Sequence, residues 1–379
     1  MSVYRTPNGQ AWRAFLKYRG HRDSRTFTRR QDAVRWLTEQ RTEIDRGSWL
    51  DPARGQVRAE DLFEQWLATR DVEGSTRRND RALWHSYVQA RFGRMPVSSI
   101  SAPVVREWVA GLQTKKGNAA PRTKRDALRV LRGVLSYAVE DGRIAKNSAS
   151  GIKIAGTKGT PGQALSLAEL RTFVAALKPP HHEVALVLAL AGLRWSEIAA
   201  LDQRDVIRDE QGRMFLAIRR RHVLDEDGKR VTLPGTKSGR LVTRMVPVLP
   251  ELVPIVERHL TGHPSEPLFP SPRGARLDSR HWRRDGGWKE ACELVDRVGL
   301  RPHDLRHTAA TAWLRMTGDL KAVQSLLGHS TASMTLDLYA HVLNDTLTRA
   351  ADLMAQGLAD AAEVVPDEPR EPTERTEGS

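Results

Sequence analysis

Three observations predict a multidomain, mainly α chain. Apolar residues recur at helical spacing through most of the 379 positions. Strand-like alternation is confined to a short N-terminal stretch and to a cluster between positions 214 and 248. A Gly/Lys/Thr-rich stretch after position 151 has no apolar period and reads as a linker. The expected architecture is a small β-sheet-plus-helix module over residues 1–55, then a helical domain over 56–150. A linker over 151–163 leads to an α+β domain over 164–358 that holds a small antiparallel sheet. Residues 359–379, rich in Pro, Glu, Asp and Thr, are expected to be a disordered acidic tail.

Each element has its own signal. Trp12, Ala14, Leu16 and Tyr18 alternate with Arg13, Phe15, Lys17 and Arg19, which is a strand rhythm. Gly20 to Ser24 reads as a turn, and Arg25 to Phe27 as a returning strand. Thr28 with Gln31 suggests a capping box for a helix that ends near Gly47. Residues 56–150 read as all-helical. Leu62, Phe63, Trp66 and Leu67 mark a first helix. Ser75 starts a second that runs through Tyr87, and Ser101 with Pro103 starts a third. Leu128, Leu131, Val134, Leu135 and Ala138 stripe a fourth. Ser166 and Glu169 form a second capping box. Strands are expected at Met214–Ile218, Val231–Leu233 and Val242–Val248, with Lys237 in the turn between the last two.

Composition narrows the partner. The formal charge is +14, and the last twenty residues hold seven acids against two bases. The remaining chain is therefore more basic still, as a polyanion-binding protein would be. Cys292 is the sole cysteine, so no intrachain disulfide and no cysteine zinc site can form. No apolar signal core opens the chain, and the longest apolar run, Val184–Leu193, is too short to span a bilayer. A soluble cytoplasmic protein, with no membrane partner, is expected.

The stretch from Arg301 onward carries the chemistry. His303 and Arg306 are three residues apart and share a helix face. His329 follows in Leu-Gly-His, then Tyr339. Upstream stand Arg194, in Gly-Leu-Arg-Trp-Ser-Glu, and Lys237, in Gly-Thr-Lys-Ser-Gly-Arg. Phosphodiester exchange develops negative charge on the non-bridging oxygens. The planar fork of arginine donates parallel bonds to such oxygens and stays charged, so Arg194 and Arg306 suit a phosphate clamp. The His303 imidazole can take the tyrosine proton or donate to phosphate. Lys237 suits protonation of the leaving 5′ oxygen, and His329 is a further phosphate donor. Tyr339 would attack phosphorus and hold DNA as a 3′-phosphotyrosine. The linkage stores the bond energy, so no cofactor is expected. The chain has no Walker A loop and no GxGxxG.

Each residue taken alone has a plainer reading: an ion pair for Arg194 beside Glu197, an exposed turn for Lys237, core packing for Tyr339. The histidines His303, His307 and His329 lack a carboxylate or cysteine to complete a metal shell, so no metal is expected. The ordered set is more specific than its members.

That set resembles the tyrosine recombinases of the phage integrase family. Residues Gly192 to Glu197 resemble the first arginine box, and Pro302 to His307 the second. Leu326 to Ser330 and Tyr339 complete the pattern, and Thr236-Lys237-Ser238 matches the hairpin lysine. The resemblance implies an arm-type DNA-binding module (1–55), a core-binding domain (56–150) and a catalytic domain (164–358). It implies double-stranded DNA at attachment sites as partner and a homo-tetramer that exchanges strands through a Holliday junction. A segment around Leu343–Leu358 would dock on a neighbouring protomer, and Glu197 would support Arg194. A host DNA-bending protein and an excision factor are further partners the family admits. The N-terminal module favours integration and excision of a phage or mobile element in a bacterial host, at its nucleoid. Two other readings stand beside this one: a type IB topoisomerase-like enzyme, and a catalytically inert DNA-binding regulator.

Overall fold

The computed structural model describes residues 1–18, 20–46, 49–156, 163–235, 243–328, 354–356 and 358. The chain divides into two compact units: Met1–Thr160 with Leu224–Lys229, and Pro161–Val223 with Arg230–Ser379. It is helix-rich, with small antiparallel sheets.

The first unit opens on strands β1 (Ser2–Arg5), β2 (Trp12–Tyr18) and β3 (His21–Phe27), which pair antiparallel in that order. Ala14 and Leu16 point inward and are covered by Ala33, Trp36 and Leu37 of α1 (Arg30–Asp45). Two sequence expectations fail here. Tyr18 pairs directly with His21, so β3 begins where a turn over Gly20–Ser24 was expected. The strand His21–Phe27 is mostly polar and buries none of its residues, so it shows no apolar alternation to read. Thr28 and Gln31 form no capping box. β3 continues to Phe27, which moves the helix start to Arg30 with an Arg29 N-cap that makes no side-chain bond.

Further along the same unit come α2 (Ala59–Thr69), α3 (Gly74–Leu83), a π-helical turn (Trp84–Val88), α4 (Gln89–Phe92), α5 (Ala102–Ala110) and α6 (Pro121–Glu140). The expected single helix from Ser75 through Tyr87 instead widens at Trp84. That ring stacks on Phe63 with centroids 4.3 Å apart and planes 4° from parallel. Both rings are buried there. The stretch is also not all-helical: β4 (Gln113–Thr114) and β5 (Gly117–Asn118) form a two-stranded ribbon. Its residues are polar or small, so it has no period to betray it.

The second unit begins with α7 (Leu167–Ala176), whose Ser166–Glu169 capping box is formed in both directions. Next come α8 (His181–Ala191) and α9 (Trp195–Ile198). Five strands follow: β6 (Val206–Arg208), β7 (Met214–Ile218), β8 (Arg220–Leu224), β9 (Arg230–Pro234) and β10 (Arg244–Pro247). β7 is the centre of an antiparallel sheet ordered β10-β7-β6, while β8 and β9 make a separate ribbon. β6 and β8 were not expected. One is three residues long, and the other opens on the basic Arg220-Arg221-His222. The unit closes with α10 (Val253–Arg258), α11 (Ser279–Asp285), α12 (Trp288–Leu294), α13 (Pro302–Thr317) and α14 (Leu320–Leu327). α8 is apolar on nearly every side because it lies in the core, in contact with α7 and α13. No described helix is long and apolar enough to cross a membrane.

Candidate active site

The first arginine box sits where α8 stops. Gly192 caps α8 at φ +66°, a conformation glycine adopts without strain. A Cβ there would meet Leu327 Cδ2 at 2.8 Å and push on that buried leucine. The chain then turns so that Arg194 is the N-cap of α9 and Glu197 lies within its first turn. Glu197 is 1% exposed and accepts from the Arg194 backbone N–H at 2.9 Å and from Arg194 Nη1 at 2.7 Å.

The second box opens α13. Asp304 accepts from the backbone N–H and the guanidinium of Arg301, which fixes the first turn. Burial opposes ionisation of Asp304, but its bonds with Arg301 hold its pKa below the ordinary carboxylate range. Arg306, one turn on, is 2% exposed. Its Nη1 donates to the Gly192 carbonyl at 2.7 Å and its Nη2 to the Leu327 carbonyl at 2.5 Å. Arg194 Nη2 donates to the Gly328 carbonyl at 3.1 Å. The two boxes and the end of α14 are therefore tied into one cluster. Glu197 Oε2 also lies 3.9 Å from Arg306 Nη1.

Burial alone would raise the Glu197 pKa. The guanidiniums of Arg244, Arg194 and Arg306 outweigh it and hold the carboxylate ionised. Burial, with the neighbouring Arg194 charge, draws Arg306 down to about 9. It remains charged at pH 7.

His303 stands on the outward side of α13, with its ring edge-on to His307 at 5.1 Å between centroids and 87° between planes. Partial desolvation of the ring, then the nearby His307 and Arg306 charges, pushes its pKa down to about 4. The residue keeps an exposed edge, so water reaches the imidazole while its neutral form dominates at pH 7. Desolvation lowers His307 as well.

Thus Arg194, Glu197 and Arg306 are brought together, and His303 shares the Arg306 helix. Lys237, His329 and Tyr339 lie outside the described residues, as do most of Leu343–Leu358, positions 157–162 of the linker and the tail from 359 onward. Sequence reasoning missed Arg244. It opens β10, pairs with Ile218 of β7, and reaches Glu197 Oε2 with its Nη2 at 2.5 Å. It also donates to the Leu327 carbonyl. A single arginine at the start of a strand carries no sequence signal for such a role. Among the described residues, no group of three or more His, Cys, Asp or Glu side chains could hold a metal ion.

Comparison with known proteins supplies the family. Residues 164–345 match the phage integrase family. The integrase of Mycobacterium phage D29 is 29% identical over 330 residues, which cover 82% of this chain and 84% of that one. The Tn1549 transposon integrase, solved in complex with transposon right end DNA, superposes with a TM-score of 0.64 at 21% identity. That match covers 79% of this chain and all of the solved one. A λ integrase tetramer bound to a Holliday junction gives a TM-score of 0.56 at 16% identity, over 89% of this chain and 94% of that one. Both structures are similar in fold. The domain over residues 164–345 belongs to the phage integrase family, and the chain is a tyrosine recombinase, an enzyme of site-specific DNA recombination.

Proposed function

We propose that this recombinase cuts DNA with Tyr339, under a phosphate clamp made by Arg194 and Arg306. One observation carries the reading. Two arginines from separate boxes come together beside one buried carboxylate, Glu197: Arg194 bonds it at 2.7 Å, and Arg306 stops 3.9 Å away with donors still uncommitted. Each guanidinium has five N–H groups. Arg306 spends one from each terminal nitrogen on the Gly192 and Leu327 carbonyls, leaving others for a phosphate.

In the proposed step the Tyr339 oxygen bonds to phosphorus while the bond from phosphorus to the 5′ oxygen breaks. The tyrosine proton passes to His303, whose lowered pKa keeps it neutral and able to accept. Lys237 gives a proton to the leaving 5′ oxygen. Arg194, Arg306 and His329 stabilise the charge that builds on the non-bridging oxygens. The result is a 3′-phosphotyrosine, and attack by a 5′ hydroxyl from the partner strand reverses it. The energy of the bond is kept, so neither a nucleotide nor a metal is required.

The assembly follows from the need to exchange strands between two duplexes. Four copies at paired attachment sites, passing through a Holliday junction, satisfy it, and the λ integrase tetramer on such a junction is the solved precedent in fold. Residues 1–55 are assigned to arm-type DNA binding, 56–150 to the core site and 164–358 to catalysis. The basic strand residues Arg13, Arg22 and Arg25 support the first assignment. A host DNA-bending protein and an excision factor complete the proposed partners, in a bacterial nucleoid.

The test is recombination between two plasmid-borne attachment sites taken from the junctions of the element that encodes the chain. Exchange by the wild type and none by Tyr339→Phe is expected. Relaxation of supercoils without exchange between sites would contradict it.

A further inference from the structure

Glu197 is surrounded by three guanidiniums, and only two belong to the arginine boxes. The third is Arg244, with a side chain 9% exposed. It is placed by the β7–β10 pairing, so its position is set by the sheet and not by either box. Its fork bridges two objects. One nitrogen bonds Glu197 Oε2, and the other bonds the Leu327 carbonyl at the end of α14. Gly328 next to it adopts φ +63°, and a Cβ there would stand 2.9 Å from Arg244 Nη1. A side chain at this left-handed position would press on the guanidinium and displace it.

We propose that Arg244 is a positioning residue of the recombinase, occupying the oxygen of Glu197 that would otherwise capture Arg306. This rests on the assignment of Arg194 and Arg306 as the phosphate clamp.

The geometry gives the mechanism. Glu197 Oε1 bonds Arg194 at 2.7 Å, and Oε2 bonds Arg244 at 2.5 Å. Arg306 Nη1 stops 3.9 Å from the same Oε2, too far for a hydrogen bond. Without Arg244, that oxygen would keep only the Arg194 backbone N–H at 2.9 Å, leaving one lone pair free and the Arg306 guanidinium within easy reach. Arg306 would close the gap, give up its carbonyl partners, and turn away from phosphate.

Charge balance works in the same direction. Three guanidiniums against one carboxylate leave an excess of two positive charges; removing Arg244 leaves one. A phosphate with charge developing in the transition state is held less well by the smaller excess. Through Leu327, Arg244 also pins the chain one residue before Gly328, from which it runs on to His329.

The test compares Arg244→Gln, Arg244→Lys, Glu197→Gln and the double variant Glu197→Gln/Arg244→Gln. The probe is a nicked duplex carrying the attachment site, which traps the covalent adduct in a single turnover. Arg244→Gln is expected to slow cleavage by about 10²-fold, the scale of one lost transition-state donor, with the DNA Kd within about threefold. Arg244→Lys restores part of the rate, because it returns the charge without the fork. The double variant is expected to be no slower than the slower single variant, since no unpaired carboxylate remains to capture Arg306.

Losses that multiply in the double variant, as for two independent sites, overturn the proposal. So does cleavage by Arg244→Gln near the wild-type rate. If Arg244→Gln fails to fold, Arg244→Lys decides: an unchanged melting temperature with a rate near wild type overturns the idea. A wild-type protein that binds the site and forms no adduct would instead remove the clamp assignment itself, before any variant is compared.

Discussion

Arg306 and Glu197 face each other at 3.9 Å without a hydrogen bond, although both side chains are buried. Arg306 is instead held by the carbonyls of Gly192 and Leu327, from two different parts of the chain. It therefore stays beside its counter-ion without being neutralised by direct contact. Arg306→Lys keeps the charge but cannot span both carbonyls. Cleavage in a single turnover should fall by about 10²–10³-fold, the usual loss for one such donor. The DNA Kd should change by less than about fivefold, since many other bases share the phosphate contacts. A gel-shift titration run with the cleavage assay checks both values. Equal losses in binding and in rate would mean that Arg306 acts only in binding.

Glu197 has a structural duty as well. Its removal leaves the buried Arg306 and the half-buried Arg194 and Arg244 to repel one another, with no anion between them. Glu197→Ala should destabilise the chain by about 3–5 kcal/mol, the range for breaking a buried ion pair from one side. Urea unfolding followed by tryptophan fluorescence measures it. A change below about 1 kcal/mol would show that the cluster does not depend on its carboxylate in the way the contacts imply.

The histidine pair sets a pH dependence with a definite sign. Folding lowers the His303 pKa from the usual imidazole value to about 4, and lowers His307 as well. As pH falls through about 6.5, the unfolded chain takes up the proton first. The stability contributed by neutral His303 is therefore complete above that pH and is lost as pH falls toward 4. The urea midpoint should decline between pH 7 and pH 5, and His303→Asn should make that decline shallower. An identical decline in both proteins would show that His303 titrates normally in the folded state.

The proposed arm module can be separated by truncation. A chain lacking residues 1–55 should still cleave a core site, because its own cluster of Ala14, Leu16, Ala33, Trp36 and Leu37 is distinct from the core behind α2–α6. It should recombine full attachment sites poorly. Full activity on those sites would remove the arm assignment.

The sequence was most readable where the physics is local or the motif is dense. The Ser166–Glu169 cap formed as its spacing suggests, because both partners lie within one helical turn. The helix stripe at Leu128, Leu131 and Leu135 is buried, because that burial is what spaces the residues. Thr28 and Gln31 have the same spacing but no bond, because a long strand ahead of them displaced the helix start. The polar strand β3 and the basic strand β8 stayed hidden, since their order comes from neighbours and not from an apolar face. The meeting of Arg194 with Glu197 was legible three residues apart. Arg244 was not, because its role depends on sheet register and on a carbonyl at the end of a distant helix. The carbonyl contacts of Gly192, Leu327 and Gly328 were equally invisible, because any residue has a carbonyl.

If Tyr339 is the nucleophile, it becomes joined to the DNA strand that it cuts. The direct measurement incubates the full chain with a nicked duplex carrying its attachment site, then looks for a protein–DNA adduct that survives SDS. The expected adduct maps to Tyr339 by peptide mass and is absent in Tyr339→Phe, which should still bind the duplex. An adduct that persists in Tyr339→Phe, or tight binding with no adduct in the wild type, would contradict it.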